Sequence, residues 1–434
     1  MKRRVTATNR RPPRVLLGQL AARGDCLYAT AIARQIKQDL PGCHLTWAIG
    51  SMCRDIIRGN PYVDAVWEFP AANHDEVAAA WDRLEKEAAE RKRRGDFDLV
   101  YLTQVYPNNF GRFDGTVRTS IFRGYPRRIT VPVNPVVHLD EPEIARVRAF
   151  AERHRLTRYR YVILFECASS SGQSFVTVEY AQAFARVLNT RWADVAVVLS
   201  SHVSVDAGNP AIVDGSELSF RDNAELSKYC HFLIGCSSGI SWLCTSNWAK
   251  KLPTIQLLRG HTSVFASVAH DFAHRGEPTD HIIEMADCPP ERLLECVGIV
   301  LKDGFQAARP RYHEPMPLQF TFYSEVLEHA LRHQVARRGR HWLVFQSMWH
   351  TIRRYGPRPA ILGAGFGALA KARRKKFWSF RRIARVIVDR LYRARPFAFR
   401  RRPEVHAGVA PREPVVERSP AVEEAARSEQ KPDA

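Results

Sequence analysis

The sequence predicts an α/β protein with two doubly wound domains, each a parallel sheet covered by helices, facing a common cleft. Three observations support this fold class. Short apolar, β-branched runs alternate with helical patterns along most of the chain. The alternation pauses at a Pro-containing stretch, residues 134–142, and then begins again. The 434 residues are enough for two such domains with extensions.

The first domain is predicted over residues 14–140. Its first strand is the run RVLLGQL, and the residues that follow it have apolar positions at helical spacing. The predicted strands are residues 14–20, 44–49, 63–69 and 97–103, with helices at 26–40 and 75–94. Helices between consecutive strands favour a parallel sheet with both faces covered.

The second domain is predicted over residues 158–330, after a hinge and a helix at 143–155. Its predicted strands are residues 161–167, 195–200, 232–235 and 253–258, with helices at 178–188, 223–229 and 240–247. Sheets of this kind bind ligands beyond the carboxyl ends of their strands, so both domains are expected to contribute to one site in the cleft.

The net charge of +20 is concentrated in one segment. Residues 331–402 contain 21 basic residues and one acidic residue, Asp389, whereas residues 1–330 are nearly neutral. From Phe377 onwards the apolar residues fall on one helical face and Arg residues on the other. We therefore predict a basic amphipathic helical extension at 331–402 and a disordered tail at 403–434.

Several classes of protein are disfavoured. No Cys-x-x-Cys pair and no His-Glu-x-x-His pattern is present, and Asp96-x-Asp98 lies at the wrong end of its strand for a metal site in the cleft. No metal and no cofactor are therefore expected. No secretory signal and no apolar run of about 20 residues is visible. The expected location is cytoplasmic, with peripheral attachment to the inner face of the cell membrane.

The first candidate site residue is Asp25, which follows Gly24 where the first strand gives way to a helix. Asp is a preferred helix N-cap, and its charge suits the N-terminal end of a helix. A carboxylate at this edge of a sheet also faces the cleft and can act as a general base. The residues alone leave both roles open.

The second candidate is the junction GCSSGIS at residues 235–241. A helix that opens near Ser238 would direct unpaired backbone amides and the positive end of its dipole into the cleft, and such an arrangement binds phosphate. The candidate binding residues are Ser237, Ser238, Gly239 and Ile240. The alternative is an ordinary helix capped by Ser.

The third candidate is the loop ECASSSGQS at residues 166–174, directly after the first strand of the second domain. Its hydroxyl, amide and backbone groups would suit a ligand rich in oxygen, with Ser169, Ser171 and Gln173 as binding residues. The alternative is a flexible surface loop.

Together, these segments resemble glycosyltransferase family 9, the ADP-heptose:lipopolysaccharide heptosyltransferases. The N-terminal resemblance lies in RVLLGQLAARGDCLYATAIARQIKQDLPGCHLTWAIG and NPYVDAVWEF. The C-terminal resemblance lies in AELSKYCHFLIGCSSGISWL and KLPTIQL. It covers roughly residues 14–305, in the family's order. The chain differs where the family has Ser, Asp, His and Lys, at Ala22, Ser237, Trp242 and Gln173.

The resemblance implies a GT-B fold, with the acceptor on the first domain and a nucleotide-sugar donor on the second. Asp25 matches the family's catalytic base, and Ser238, Gly239 and Ile240 match the backbone that holds the donor diphosphate. The implied function is inverting, metal-independent transfer of a sugar, with ADP-heptose as a candidate donor, to a lipopolysaccharide or another lipid-linked acceptor.

The basic extension at 331–402 is expected to lie on an anionic membrane surface, since a helix with Phe, Ile and Leu opposite Arg suits that interface. Two other functions remain open. One is a catalytically inactive GT-B-fold binding protein. The other is a nucleic-acid-binding protein that acts through the basic arm, which is less favoured because residues 331–402 match no recognition module.

Overall fold

The computed structural model describes residues 11–105, 109–167, 172–205, 208–338 and 342–374. These residues all belong to one compact unit. Within it, two parallel sheets carry the strands and helices cover their faces.

The first sheet has the strand order β3-β2-β1-β4, and every pairing in it is parallel. Its strands are β1 (Arg14–Gly18), β2 (His44–Gly50), β3 (Ala65–Phe69) and β4 (Leu99–Leu102). The inner residues of β1 are inaccessible to solvent, since helices cover this central strand on both faces.

The second sheet has the order β10-β9-β8-β5-β6-β7 and is also parallel throughout. Its strands are β5 (Tyr161–Glu166), β6 (Val195–Ser200), β7 (Ile212–Asp214), β8 (Phe232–Gly235), β9 (Thr254–Leu258) and β10 (Ile282–Ala286). The sequence analysis did not predict β7 and β10, the two edge strands. With three residues, β7 is too short to show a pattern.

Six of the described helices overlap the predicted ranges 26–40, 75–94, 143–155, 178–188, 223–229 and 240–247, whereas the helices at 118–122, 268–275, 290–303 and 305–312 were not predicted. The described helices are α1 (Arg23–Asp39), α2 (His74–Arg93), α3 (Arg118–Phe122), α4 (Glu141–Arg153), α5 (Val178–Arg191), α6 (Asp222–Leu226), α7 (Gly239–Leu243), α8 (Val268–Arg275), α9 (Pro290–Asp303), α10 (Phe305–Tyr312), α11 (Thr321–Arg338), α12 (Trp342–Tyr355) and α13 (Pro359–Arg374). The predicted helix at 240–247 is shorter in the structure, since α7 ends at Leu243.

In each sheet, the order in which successive strands are added reverses at the first strand of the domain. In the first sheet β1 lies between β2 and β4, and in the second β5 lies between β8 and β6. Such switch points open a crevice at the carboxyl ends of the strands. The predicted fold class, α/β of the GT-B type with two Rossmann-like sheets, is confirmed by these two parallel sheets and their interleaved helices.

The C-terminal helices belong to the core of the first domain. Tyr323 of α11 stacks on Phe113 with ring centroids 5.7 Å apart, and Ser347 of α12 donates to the Phe113 carbonyl at 2.7 Å. The boundary predicted at residue 331 falls inside α11, and residues 342–374 are not a separate arm. Charge alone suggested an arm, but Leu343, Val344 and Met348 bury an apolar face against the body.

The predicted amphipathic helix that begins at Phe377 and the predicted tail at 403–434 lie outside the described residues. Among the helices that the structure describes, none combines the length and the apolar character needed to cross a bilayer.

Candidate active site

A cavity of about 510 Å³ lies at the carboxyl ends of β1, β5, β6 and β8. Both sheets contribute to its walls, as the two switch points require. It brings together Gly24, Asp25, Gln173, Ser237, Ser238, Gly239 and Ile240. Ser169 and Ser171 lie outside the described residues, so their predicted role stays a prediction.

Asp25 is the third residue of α1, whose N-cap is Ala22. The capping role considered for Asp25 is therefore only partial, since an acidic residue at this position reaches back towards the N-cap amide. Burial raises the pKa of Asp25 to about 7, and a hydrogen bond with the Ala22 backbone acts in the opposite direction. A carboxylate with this pKa can accept a proton near neutral pH.

Gly24 and Gly239 allow the two domains to approach closely at this cavity. A Cβ atom on Gly24 would lie 3.9 Å from the Gly239 Cα, and one on Gly239 would lie 2.8 Å from the ring of Phe220. The N-terminal ends of α1 and α7 therefore meet with backbone almost against backbone. A side chain at Gly239 would push the Phe220 ring out of place.

Glu166, the last residue of β5, occupies the N-terminal end of α7. Its buried carboxylate accepts hydrogen bonds from the backbone amides of Cys236 at 2.7 Å, Ile240 at 3.0 Å and Ser241 at 3.3 Å. The hydroxyls of Ser241, at 2.5 Å, and Ser238 also donate to it. Five donors saturate the acceptor sites of one carboxylate.

Glu166 therefore takes the position that the sequence analysis reserved for a donor phosphate. The Ile240 amide has a partner within the protein, the Glu166 carboxylate, and its predicted contact with a diphosphate stays a prediction. Ser238 is the N-cap of α7 but its side chain does not cap the helix, because its hydroxyl bonds to Glu166. In the described part of the chain, no hydrogen bond is recorded for the backbone amides of Ser238 and Gly239.

Ser237 and Gln173 lie in the cavity wall, and their backbones fix the loops they belong to. Ser237 adopts a left-handed backbone conformation with φ of 51°, and its amide donates to the Gln256 side chain at 2.6 Å. The Gln173 carbonyl accepts from the Arg259 amide at 2.9 Å. Both residues line the cavity, and their predicted contacts with a substrate stay a prediction.

Trp242 lies in the cavity wall and links the two domains. Its indole packs edge-to-face on Tyr28 of α1, with ring centroids 4.9 Å apart. The Arg118 guanidinium lies 5.2 Å from the centroid of the Trp242 ring. The departure from the resembled family at this position therefore has a structural role, since the large ring fills the space between α1 and α7.

Arg118 and Asp271 form a buried ion pair that the sequence analysis missed. The Arg118 side chain is 2% exposed and also pairs with Glu277 at 3.2 Å. Because Asp271 lies in α8, this pair joins the first domain to the second. No local pattern marks either residue, since 152 positions of sequence separate them. Both line the cavity, which thus carries carboxylates at Asp25, Glu166 and Asp271.

Comparison with known proteins gives structural likenesses only. No protein-family model matches the chain, and no curated protein matches it. A family 9 glycosyl transferase from Veillonella parvula is 15% identical, with a TM-score of 0.46 over 67% of this chain and 89% of that one. The ADP-heptose lipopolysaccharide heptosyltransferase II of E. coli is 15% identical, with a TM-score of 0.43 over 67% of this chain and 99% of that one.

A heptosyltransferase of E. coli with ADP is 16% identical, with a TM-score of 0.37 over 68% of this chain and 99% of that one. The nucleotide and the sugar in these names are properties of those proteins. The chain is thus similar, at low sequence identity, to glycosyltransferase family 9 and to the ADP-heptose heptosyltransferases.

Proposed function

We propose that this protein is an inverting, metal-independent glycosyltransferase that uses a nucleotide-sugar donor. The observation that carries the proposal is the position of Asp25, a carboxylate with a pKa of about 7 in a cavity walled by both sheets. The donor of first choice is ADP-heptose, and the acceptor is a lipid-linked or lipopolysaccharide sugar at the inner face of the cell membrane.

In the proposed reaction, Asp25 takes the proton of an acceptor hydroxyl as its oxygen attacks the anomeric carbon. The bond from that carbon to the donor phosphate breaks, and the nucleoside diphosphate leaves with the electron pair. Because attack and departure occur on opposite faces, the configuration at the anomeric carbon is inverted. A positioned base of this kind contributes about 10²–10⁴-fold in rate.

The second domain supplies the donor side of the cavity. Ser201, His202 and Phe220 line it with a hydroxyl, an imidazole and an aromatic ring, which are contacts of the kind that a nucleoside takes. The amides of Ser238 and Gly239 remain as donors to the leaving diphosphate. Glu166 adds a negative charge close by, which weakens anion binding at this place.

The Glu166 contacts favour a second candidate function, a GT-B-fold binding protein without transferase activity. A carboxylate that saturates the α7 amides reproduces internally what a bound phosphate would do. A protein with this arrangement retains the cavity but gives less stabilisation to a departing diphosphate. Both candidates predict that a ligand binds in the cavity. Only the transferase is expected to turn over a nucleotide sugar.

The experiment that separates them uses the full chain. Calorimetry measures the binding of ADP, UDP, GDP and CMP. Mass spectrometry then follows release of the nucleotide, a nucleoside diphosphate or CMP, from the matching nucleotide sugars, with lipopolysaccharide precursors as acceptors. For the transferase, we expect Asp25→Asn to reduce turnover by at least about 100-fold while nucleotide affinity is retained.

Asp75→Asn is the matched control, because Asp75 also lies in the first turn of a helix of the first domain but is exposed outside the cavity. Turnover equal to that of the unaltered protein is expected for it. Nucleotide binding without turnover by any donor would support the binding protein. A folded chain that binds none of the four nucleotides would contradict both candidates.

A further inference from the structure

Helices α12 and α13 carry most of the large, exposed hydrophobic side chains in the described part of the chain. Five of the eight large, exposed hydrophobic side chains are on these two helices. They are Trp342, Phe345, Trp349, Leu362 and Phe366, here named the α12–α13 apolar face. The other three, all Val, are scattered singly elsewhere. Single exposed apolar residues are ordinary, but a contiguous group indicates an interaction surface.

Helix α12 has two apolar sides. Trp342, Phe345 and Trp349 follow a spacing of three and four residues, so they lie along one face, and each is about half exposed. Val344 and Met348 lie on the opposite face and are buried against the body. Folding of the domain uses only the second face, which leaves the aromatic face directed outward.

Helix α13 continues the same surface. Leu362 and Phe366 are exposed one turn apart, while Ile361 and Ala368 on the other side are fully buried. The rings of Phe345 and Phe366 approach edge-to-face, with centroids 6.2 Å apart. This contact joins the exposed residues of the two helices into one surface.

The charge around this surface is positive. The Arg353 guanidinium lies 6.0 Å from the centroid of the Trp349 ring, on the exposed side of α12. Residues 342–374, which contain both helices, have six Lys and Arg residues and no Asp or Glu. Exposed Trp and Phe among Lys and Arg suit the boundary between anionic lipid headgroups and acyl chains.

We propose that the α12–α13 apolar face docks on an anionic phospholipid bilayer. The aromatic rings enter the boundary between headgroups and acyl chains, and the surrounding Lys and Arg contact the anionic headgroups. These residues would contact the membrane partner proposed above, and their docking does not depend on the transfer reaction. If the protein does not bind vesicles, nucleotide binding in solution is still expected.

Flotation of the full chain with vesicles tests the proposal. Vesicles of phosphatidylcholine alone are compared with vesicles that also contain phosphatidylglycerol, over a range of salt concentrations. We expect binding to the anionic vesicles, weakened by salt. The variant Trp342→Ser/Phe345→Ser/Trp349→Ser is expected to partition at least about tenfold less, because it lacks the apolar contribution.

The matched control is Val66→Ser/Val187→Ser/Val203→Ser, which removes the three exposed apolar residues outside this face. Its vesicle binding is expected to equal that of the unaltered chain. Quenching of Trp fluorescence by brominated lipid gives a second readout. The quenching is expected to decrease in Trp342→Phe/Trp349→Phe, a variant that keeps the aromatic character of the face.

Three results would overturn the proposal. The aromatic variant could bind anionic vesicles as well as the unaltered chain, which would assign binding to the basic residues alone. Sedimentation could show a dimer that the aromatic substitutions dissociate, which would make this face an interface between two copies. Binding to nucleic acid without binding to vesicles would assign the basic segment to that partner.

Discussion

Asp25 shows how one residue combines a structural and a chemical role. It lies in the first turn of α1, where the helix dipole favours a negative charge. Its burial in the cavity wall has the opposite effect and is the larger cause, so the pKa of Asp25 is raised to about 7. The residue proposed as the base is therefore also one whose ionisation the folded state resists.

This conflict predicts a pH-dependent stability. Between the ordinary pKa of an Asp and pH 7, the folded protein retains a proton that the unfolded chain has lost, so the free energy of unfolding falls as pH rises. Asp25→Asn cannot ionise and does not undergo this loss. Relative to the unaltered chain, we expect it to gain stability from pH 5 to pH 8, by up to about 3 kcal/mol.

Urea unfolding of both proteins at the two pH values measures the difference. Burial also raises the pKa of Glu284 to about 7, but that contribution is common to both proteins and cancels. Asp75→Asn should show a difference that does not vary with pH. A difference for Asp25→Asn that is the same at pH 5 and pH 8 would contradict the prediction.

At the same scale, the sequence indicated Asp25 but not Glu166. A Gly and an Asp shortly after a strand form a local signal, because residues that follow a strand of a parallel sheet lie at the carboxyl edge, where the cavity is. Glu166 ends a strand, and its partners Ser238 and Ile240 come more than 70 residues later. Only the pairing of β5 with β8 brings Glu166 close to these partners, and that pairing could not be predicted from a single sequence.

Helix α12 is held to the first domain by a buried ionic group as well as by apolar contacts. Arg354 donates to Asp114 at 3.0 Å and to Thr116 at 2.8 Å, and Arg123 donates to the same carboxylate at 2.6 Å. Burial alone would raise the pKa of Asp114, but the two Arg residues hold it below its ordinary value.

Arg354→Met is therefore expected to destabilise the protein by about 3 kcal/mol, because it leaves a buried carboxylate with one cation instead of two. Arg353→Met is the matched control. Arg353 is next to Arg354 in sequence, but its side chain is exposed on the other side of α12. The free energy of unfolding of this variant is therefore expected to change by no more than about 0.5 kcal/mol. Equal thermal stability of the two variants would contradict the role given to the pair.

At the scale of elements, the strands and helices of both domains were largely predictable, whereas the place of α12 and α13 was not. Alternating apolar and helical patterns mark the repeated strand–helix units. In α12, Val344 and Met348 give a helical pattern too, but the high Lys and Arg content of the segment pointed to a solvated arm. Composition reports charge, while the choice of buried face depends on contacts such as that with Phe113.

At the scale of the whole molecule, the chain passes through the first domain, then the second, and returns to the first. Tyr323, Leu327 and Val344 share one buried cluster with the strands of the first sheet. The first domain is thus completed by residues that follow the second in sequence. Domain limits drawn as consecutive ranges therefore miss this return.

Two truncations test this arrangement. A chain of residues 1–374 keeps α11, α12 and α13, and we expect it to unfold cooperatively with the midpoint temperature of the full chain. A chain of residues 1–320 lacks these helices and exposes the residues they cover, including Phe113. We expect it to lose cooperative unfolding of the first domain, measured by near-ultraviolet circular dichroism. Two truncations that melt alike would contradict the prediction.

The return of the chain to its first domain also sets an order of events on the ribosome. Strands β1 to β4 are synthesised early, but the apolar surface that Val344 and Met348 cover stays open until those residues emerge. The second domain, whose strands are all complete by Ala286, can fold first. The nascent chain therefore exposes an incomplete N-terminal core for most of its translation. We expect a chaperone to bind the nascent chain mainly during this interval.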